Sequence, residues 1–573
     1  MQRTTIDFGI DLGTTNSTVA VIDGTGAKVI VNKIGSTITP SAVWIDKRGN
    51  LSIGHEAKVR ALCDDPENGD VEFKARMGLG AAGKKIFIRS GREMLPEELS
   101  AEILKSLKID VRTHLGEDVR AAVITAPAAF ENPAMNATRK AGQLAGFVCS
   151  PLLLEPIAAS LAYGFQSDSE NVYWMVYDFG GGTFDAAVMR VREGRIQVVK
   201  HDGDNHLGGK LIDWAIVEQK VIPVLTGQYN LPEFKRGNPR WMLALGKLKY
   251  DAELAKIEVC RTLAPHEIWI EELCQDANGK TINFAYTLTP QDVEEVSKPF
   301  IERSLHLCRR TLDEAGLRGS QMERILLVGG TTLSPWVREA VKAELRSELE
   351  FSIDPVTVVA QGAAIFASTQ ELPVEAREHR EPGGWRIQIE HNPVGNIPDP
   401  DIGGRILPPA GQSVEGFTIE LVDLKTPWRS GRIRLPASGV FMTQLYAEKG
   451  RRHEFAFELC DTTGTRIATS PDRVSYTLGV IPDEHPPAAK TIGVGLANGG
   501  VAVYVKKGEP LPSRKRIDHW TTEPIRAGRA QDVLRIPVRK ANIRARNAIT
   551  ASGLCAFAGA IFGVIYRPQA RSK

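Results

Sequence analysis

Cysteine is sparse in this chain, and neither sign of charge dominates it. The 573 residues include seven cysteines, none of them in a CxxC pair, which argues against a zinc site or a disulfide framework and fits a reducing compartment. A formal net charge of +2 predicts no strong electrostatic field toward nucleic acid or membrane. No signal peptide is recognisable, because the first residues run directly into a β-rich segment. We therefore expect a cytoplasmic protein without a nucleic-acid partner.

Two short stretches share one pattern, and each is typical of a hairpin that binds phosphate. One contains Asp11 and the small polar run 13–16, and the other contains Asp178 and the glycines 180–182. In both, an apolar run leads to an Asp, a turn of Gly and Thr, and another apolar run. Such a tip lets backbone N–H groups approach an anion, and an adjacent Asp can hold hydrated Mg²⁺. Two such hairpins facing each other would clamp the phosphates of a nucleotide.

A third glycine turn supports this interpretation. Gly329 and Gly330 follow an apolar run typical of a strand and precede an amphipathic segment typical of a helix. Such strand–turn–helix units bring backbone close to a ligand. Two intervening segments, 119–147 and 152–165, also have the pattern of a strand followed by an amphipathic helix.

The order of these motifs resembles the actin-like ATPase domain of the 70-kDa heat-shock chaperones, the DnaK-like proteins. The resemblance covers about residues 5–368, and the segments GIDLGTTNS, VITAPAAF and HLGGKLID look chaperone-like rather than kinase-like. It implies an α/β domain of two lobes, each built on a five-stranded sheet, with ATP or ADP and Mg²⁺ in the cleft. It also implies client polypeptides, a J-domain co-chaperone and a nucleotide-exchange factor as partners.

The resemblance assigns roles to individual residues. Asp11 and Asp178 would hold Mg²⁺ through water, and Glu155 and Asp185 would orient the attacking water or its metal. Lys74 matches the family's catalytic lysine; the alternative is a solvated surface lysine. An ammonium near the γ-phosphate is sensible, because phosphoryl transfer depends mostly on positioning and charge neutralisation. The other expected nucleotide ligands are Gly13, Thr14, Thr15, Asn16, Gly180, Gly181, Gly182, Thr183 (also counted as catalytic), Gly208, Gly209, Glu253, Lys256, Gly329, Gly330 and Thr331.

Several positions depart from the family pattern. Ile257 stands where an Arg would stack on adenine, Cys260 where a Ser would contact the ribose or base, and Leu333 where a second Arg follows the glycine turn. Losing a stacked guanidinium removes a contact of about 0.5–2 kcal/mol, so we expect weaker ATP binding than in a housekeeping chaperone. Pro127 resembles the family's hinge proline, although it could simply end a strand.

The C-terminal part is expected to consist of all-β domains after an ATPase domain at 1–370. A charged linker at 371–386 lacks the family's leucine run, which puts ordinary coupling between domains in doubt. Alternating short runs and turns predict an extra β-sandwich at 387–485. Residues 486–538 resemble the start of the family's peptide-binding domain. Its apolar pocket would lie near Val494, Leu496, Val501 and Val503, which could equally be core residues.

The tail 539–573 does not continue the resemblance. Residues 549–566 form a mostly apolar run flanked by Arg, long enough for a minimal membrane anchor. Plausible codons in a shifted frame give a family-like continuation, so we favour a frameshifted, truncated gene. Either way, the helical lid of a full chaperone is absent from the sequence.

Three functions are compatible with these features. The first is a weak ATPase that acts as a chaperone and binds unfolded polypeptide. The second is a nucleotide-switched regulator or scaffold without foldase activity, which the missing linker and lid favour. A small-molecule kinase is disfavoured, because no sugar-kinase substrate motif is present.

Overall fold

The computed structural model describes residues 3–478 almost continuously. The gaps in this range lie at 4, 24–25, 165–171, 193–194, 374–375, 377–383, 392–393, 396, 410 and 449–451. Beyond residue 478 it describes six short strands, at 481–482, 492–495, 501–505, 538–540, 555–557 and 560–562.

The first lobe is a mixed sheet with helices packed on it. Helix α2 shows how the sequence sets the element boundaries: it begins with Pro96 in its first turn and ends at Gly116, whose φ is 69°. The elements are β1 (Phe8–Asp11), β2 (Asn16–Asp23), β3 (Gly26–Val29), β4 (Thr39–Pro40), β5 (Ala42–Ile45), β6 (Leu51–Ile53), α1 (His55–Val59), β7 (Gly69–Val71), β8 (Lys85–Phe87), β9 (Arg92–Met94), α2 (Pro96–Leu115), β10 (Val123–Ala126), α3 (Asn132–Leu144), β11 (Leu152–Leu154) and α4 (Glu155–Gly164).

The second lobe, like the first, contains an antiparallel hairpin beside a parallel strand. Its first strand is almost wholly apolar, as expected for a central strand covered on both faces. The elements are β12 (Val172–Phe179), β13 (Phe184–Arg192), β14 (Arg195–Asp204), α5 (Gly209–Ala215), α6 (Ile222–Gln228), α7 (Met242–Thr262), β15 (His266–Gln275), β16 (Thr281–Leu288), α8 (Pro290–Ala315), β17 (Met322–Val328), α9 (Pro335–Leu345), β18 (Glu348–Glu350) and α10 (Val358–Ala367).

The two main sheets have matching strand orders. The first runs β11-β10-β1-β2-β3, with β4 paired to β2, and the second runs β18-β17-β12-β13-β14 and continues into a sixth strand at 481–482. Five strands in each were expected, so each sheet has one short strand more than the resemblance implied. The expected hairpins are present as β1–β2 and β12–β13, both antiparallel. Strand β10 runs parallel to β1 and β17 runs parallel to β12, so the ends of these strands meet at one edge of each sheet.

Helix α10 packs on the first sheet and contacts helix α4, which also contacts strands of the second sheet. A Cβ added to Gly362 of α10 would lie 1.7 Å from the Ala158 carbonyl oxygen of α4, so a glycine is required for this close approach. On the other side of α10, a Cβ on Gly9 of β1 would lie 2.0 Å from the Ala364 nitrogen. These contacts fix the β1 hairpin against the helix that closes the ATPase part of the chain.

Residues 385–478 form two sheets around one core. The first sheet has the order β24-β21-β19-β27, and the second has the order β20-β28-β25-β22-β23 with β26 paired to β25. Ile402 and Phe441 from the first sheet and Leu421, Phe455 and Tyr476 from the second are buried in the same cluster. The strands are β19 (Trp385–Glu390), β20 (Val394–Gly395), β21 (Asp401–Leu407), β22 (Thr418–Asp423), β23 (Ile433–Arg434), β24 (Val440–Gln444), β25 (Arg452–Cys460), β26 (Arg466–Ile467), β27 (Thr469–Ser470) and β28 (Arg473–Leu478).

The last described strands lie beyond this pair of sheets. Strand β29 (Ile481–Pro482) pairs in parallel with β14 of the second lobe. Strands β30 (Ile492–Gly495), β31 (Val501–Val505) and β32 (Val538–Lys540) form a three-stranded sheet, and β33 (Cys555–Phe557) pairs with β34 (Ala560–Phe562). Leu496, most of the tail and the side chains of the expected peptide pocket lie outside the described residues.

Candidate nucleotide site

The tips of the two hairpins lie against each other across the cleft. A Cβ on Gly181 would lie 2.4 Å from the Thr15 hydroxyl oxygen, and one on Gly182 would lie 2.8 Å from the Thr14 methyl carbon. Any larger residue at these glycines would push the tips apart. The structure therefore brings together the two turns that the sequence singled out.

Hydrogen bonds from neighbouring strands fix the first tip. The Gly13 N–H donates to the Ser17 hydroxyl at 3.2 Å, and the Ser41 hydroxyl donates to the Gly13 carbonyl at 2.8 Å. Asn16 begins β2 and pairs with Pro40 of β4. This tip is thus rigid before any ligand binds, which lowers the entropic cost of binding.

The second tip is braced by two other loops of its lobe. The Gly180 N–H donates to the Thr183 carbonyl at 3.0 Å, closing the turn. The Gly180 carbonyl in turn accepts from the Gly209 N–H at 3.0 Å and from the Thr331 hydroxyl at 2.9 Å. A Cβ on Gly208 would lie 2.4 Å from the Gly181 carbonyl oxygen. The three glycine segments of this lobe therefore converge on one turn, with Gly329 (φ 84°) and Gly330 preceding Thr331.

Carboxylates and one lysine lie beneath the tips. Lys74 and Glu155 are both buried, and the Lys74 ammonium lies 2.8 Å from a Glu155 carboxylate oxygen. The Thr125 hydroxyl donates to Asp11 at 3.2 Å. On the other hairpin, Asp178 pairs directly opposite Asp185. The alternative of a solvated Lys74 is therefore wrong, because this side chain is 3% exposed and paired.

Burial and mutual repulsion make the three aspartates of this set hard to ionise. Burial, and then the charge of Glu155, raise the pKa of Asp11 to about 7, and Lys74 and the Thr125 hydrogen bond act in the opposite direction. Burial first, and then Glu155, also raise the pKa of Asp178 and of Asp185 well above the usual range. The site therefore favours the addition of positive charge.

The residues present fit a magnesium nucleotide. Among the described residues, the buried Thr15 hydroxyl and one buried Asp185 oxygen have no hydrogen-bond partner, so both are available to a ligand. Within the described part of the chain, no three His, Cys, Asp or Glu side chains are grouped to hold a metal. Asp11 and Asp178 supply the type of oxygen donor that hydrated Mg²⁺ prefers.

The expected adenosine ligands already have partners within the chain. Glu253 of α7 lies 2.8 Å from the Lys58 ammonium of the opposite lobe, so this pair bridges the cleft. Lys256 lies 2.5 Å from an Asp213 carboxylate oxygen and also donates to the Gly209 carbonyl at 3.4 Å. Lys256 is thereby close to the phosphate-binding turns, whereas Glu253 faces the first lobe.

Two of the residues that depart from the family pattern, Ile257 and Cys260, belong to α7, and the third, Leu333, follows the Gly329–Gly330 turn. Ile257 is 52% exposed and Leu333 is 44% exposed, so neither is used in the core. Burial raises the pKa of the Cys260 thiol, with Lys256 and the Ser334 hydroxyl acting against it, so the thiolate form of Cys260 is disfavoured.

Sequence reasoning missed two residues at the phosphate site. Lys210 directly follows the Gly208–Gly209 turn, and Glu72 comes two residues before Lys74. Their side chains form an ion pair of 2.8 Å between the lobes. Their positions next to predicted ligands were a usable signal: Lys210 lies within the segment HLGGKLID, but no role was predicted for either residue.

Comparison with protein families identifies the chain. A model of the family described as Hsp70 protein matches residues 7–375, more than half of the sequence. The chain belongs to the Hsp70 family. The predicted resemblance to the 70-kDa heat-shock chaperones is therefore confirmed, and with it an actin-like ATPase fold for the matched Hsp70 region. As an Hsp70 protein it belongs to a family of ATP-binding chaperones. Across the residues that the structure describes, no helix combines the length and apolar character needed to cross a membrane.

Proposed function

We propose that this Hsp70 protein binds Mg·ATP between its two hairpin tips, hydrolyses it slowly and uses the nucleotide state to control binding of client polypeptide. The observation that carries the proposal is the convergence of two hydrogen-bonded glycine tips on four carboxylates and Lys74. Glu155, Asp185 and Lys74 are buried, and Asp11 and Asp178 are partly buried. This set supports phosphoryl transfer, which depends on positioning and charge neutralisation.

Each residue of the set has a distinct task. Asp11 and Asp178, one from each lobe, would hold Mg²⁺ through water, and the ion would supply charge neutralisation for the phosphates. Lys74 would place its ammonium near the transferred phosphoryl group, with Glu155 holding it there. Asp185 would accept a proton from the attacking water once the positive charge of Mg²⁺ in the site favours its ionised form.

The proposal is tested with Lys74→Met. A methionine of similar length removes the ammonium, so we expect hydrolysis to fall about 100-fold or more while Mg·ATP binding persists. Single-turnover hydrolysis and calorimetry measure the two effects separately. Lys84→Met is the matched control, because Lys84 forms an exposed ion pair with Glu93 in the same lobe. Equal hydrolysis in both variants would contradict the catalytic role of Lys74.

A nucleotide-switched regulator without foldase activity remains the second candidate. It is favoured by the two-sheet unit at 385–478, which follows the matched region. Stimulation of hydrolysis by an unfolded peptide and a J-domain protein would support the chaperone. Indifference to both would support the regulator.

A further inference from the structure

Lys210 is held at the tip of the second hairpin. Its backbone N–H donates to the Gly181 carbonyl at 2.9 Å, which fixes the start of α5 to the turn. Its ammonium lies 3.6 Å from the position that a Cβ on Gly182 would occupy. The charge therefore lies beside the glycines of the second tip.

Glu72 holds this ammonium from the opposite lobe. The carboxylate lies 2.8 Å from the Lys210 nitrogen, and both side chains are largely buried, at 25% and 20% exposed. Glu72 has a left-handed backbone, with φ 59° and ψ 23°, immediately after β7. A non-glycine residue in this conformation is strained, and such strain is characteristic of functional sites. A small cavity in the cleft is lined by Glu72 together with Thr15 and Lys58.

Besides Glu72, the phosphates of a bound nucleotide would be a second anionic partner for the Lys210 ammonium. The site contains four carboxyl groups, and the Lys74 ammonium is the cation that lies among them. The carboxyl groups belong to Asp11, Glu155, Asp178 and Asp185. Nucleotide phosphates add further negative charge. A lysine ammonium is a mobile point charge with three donors, so it can exchange one anionic partner for another within its reach.

We propose that Lys210 is a phosphate ligand contributed by the second lobe, and that Glu72 competes with the nucleotide for its ammonium. This inference rests on the proposed binding of Mg·nucleotide between the hairpin tips. It adds a phosphate-binding cation to the site and makes Glu72 a residue that limits affinity.

The competing explanation is a purely structural bridge between the lobes. In that case Lys210→Gln and Glu72→Gln remove the same ion pair and shift nucleotide affinity in the same direction. If the ammonium is exchanged, the two substitutions act in opposite directions. Lys210→Gln removes a phosphate ligand, whereas Glu72→Gln releases that ligand from its competitor.

The test is calorimetric titration of the full chain with a non-hydrolysable Mg·ATP analogue. We expect Lys210→Gln to raise Kd about 10- to 100-fold, as for a lost hydrogen bond to a charged group. Glu72→Gln should lower Kd about 2- to 5-fold, since a partly exposed ion pair no longer competes. Lys220→Gln is the control, because Lys220 pairs with Glu295 in the same lobe away from the cleft.

Each result is decisive. Shifts of the same sign in the two variants, or an unchanged Kd for Lys210→Gln, would overturn the inference while leaving the proposed function intact. If the parent chain binds no analogue, the proposed function fails, and this inference fails with it. If thermal melting shows that Lys210→Gln is unfolded, Glu72→Gln alone decides: tighter binding supports exchange, and weaker binding overturns it.

Discussion

The strongest prediction concerns Asp11, whose charge opposes folding. Its pKa of about 7 compares with an ordinary value of 3.8. Because the folded state keeps the proton longer than the unfolded chain, stability falls as pH rises from about 4 to 7 and then levels off. A difference of about three pKa units lowers the free energy of unfolding by about 4 kcal/mol above pH 7, but by only about 1–2 kcal/mol at pH 5.

Asp11→Asn removes this penalty. The amide oxygen can still accept the Thr125 hydrogen bond, so the change is mainly one of charge. Without Mg²⁺ or nucleotide, we expect Asp11→Asn to be more stable than the parent. The gain in the free energy of unfolding should be about 3 kcal/mol larger at pH 8 than at pH 5. Denaturant unfolding followed by tryptophan fluorescence at the two pH values measures this difference.

The control is Asp46→Asn. Asp46 is partly exposed, and hydrogen bonds from Asn50 lower its pKa, so it stays ionised at both pH values. We expect no difference between pH 5 and pH 8 for this substitution. If Asp11→Asn shifts stability equally at the two pH values, burial of the Asp11 charge is not what limits stability, and the reasoning is refuted.

Three further outcomes follow from the packing and the altered cleft. Gly181→Ala should weaken Mg·ADP binding about 10-fold or more in calorimetry, because its Cβ would lie 2.4 Å from the Thr15 hydroxyl oxygen; unchanged affinity would mean that the tips separate freely. Ile257→Arg should tighten binding about 2- to 30-fold by restoring a stacking plane, and calorimetry with no gain would show that this side chain does not face the base. Gly362→Ala should cost about 3 kcal/mol in denaturant unfolding, given a Cβ 1.7 Å from the Ala158 carbonyl oxygen; a near-neutral effect would show that α4 and α10 can move apart.

The parts predicted from the sequence were those with local signals. The β1–β2 and β12–β13 hairpins follow from alternating apolar runs around Gly-Thr turns, and their tips were identified as facing elements. Predicting a functional role for Lys74 needed the family resemblance, because a single lysine in a short segment carries no periodic signal.

The parts that were missed depend on contacts distant in sequence. The Lys210–Glu72 pair joins residues 138 positions apart, and no role was predicted for either. The Lys58–Glu253 bridge joins residues 195 positions apart. Only tertiary packing of the two lobes brings such side chains together. The parallel pairing of β29 with β14 was likewise beyond local pattern, because two residues have no measurable periodicity.

The position of β29 has a mechanical consequence for residues 385–478. The chain enters this segment after Gln370, whose carbonyl accepts from the Ile6 N–H just before β1 in the first lobe. It leaves through β29, paired with β14 in the second lobe. The two-sheet unit therefore lies between two attachment points in the chain, one on each lobe. We expect opening or closing of the cleft to change the distance between these two attachment points.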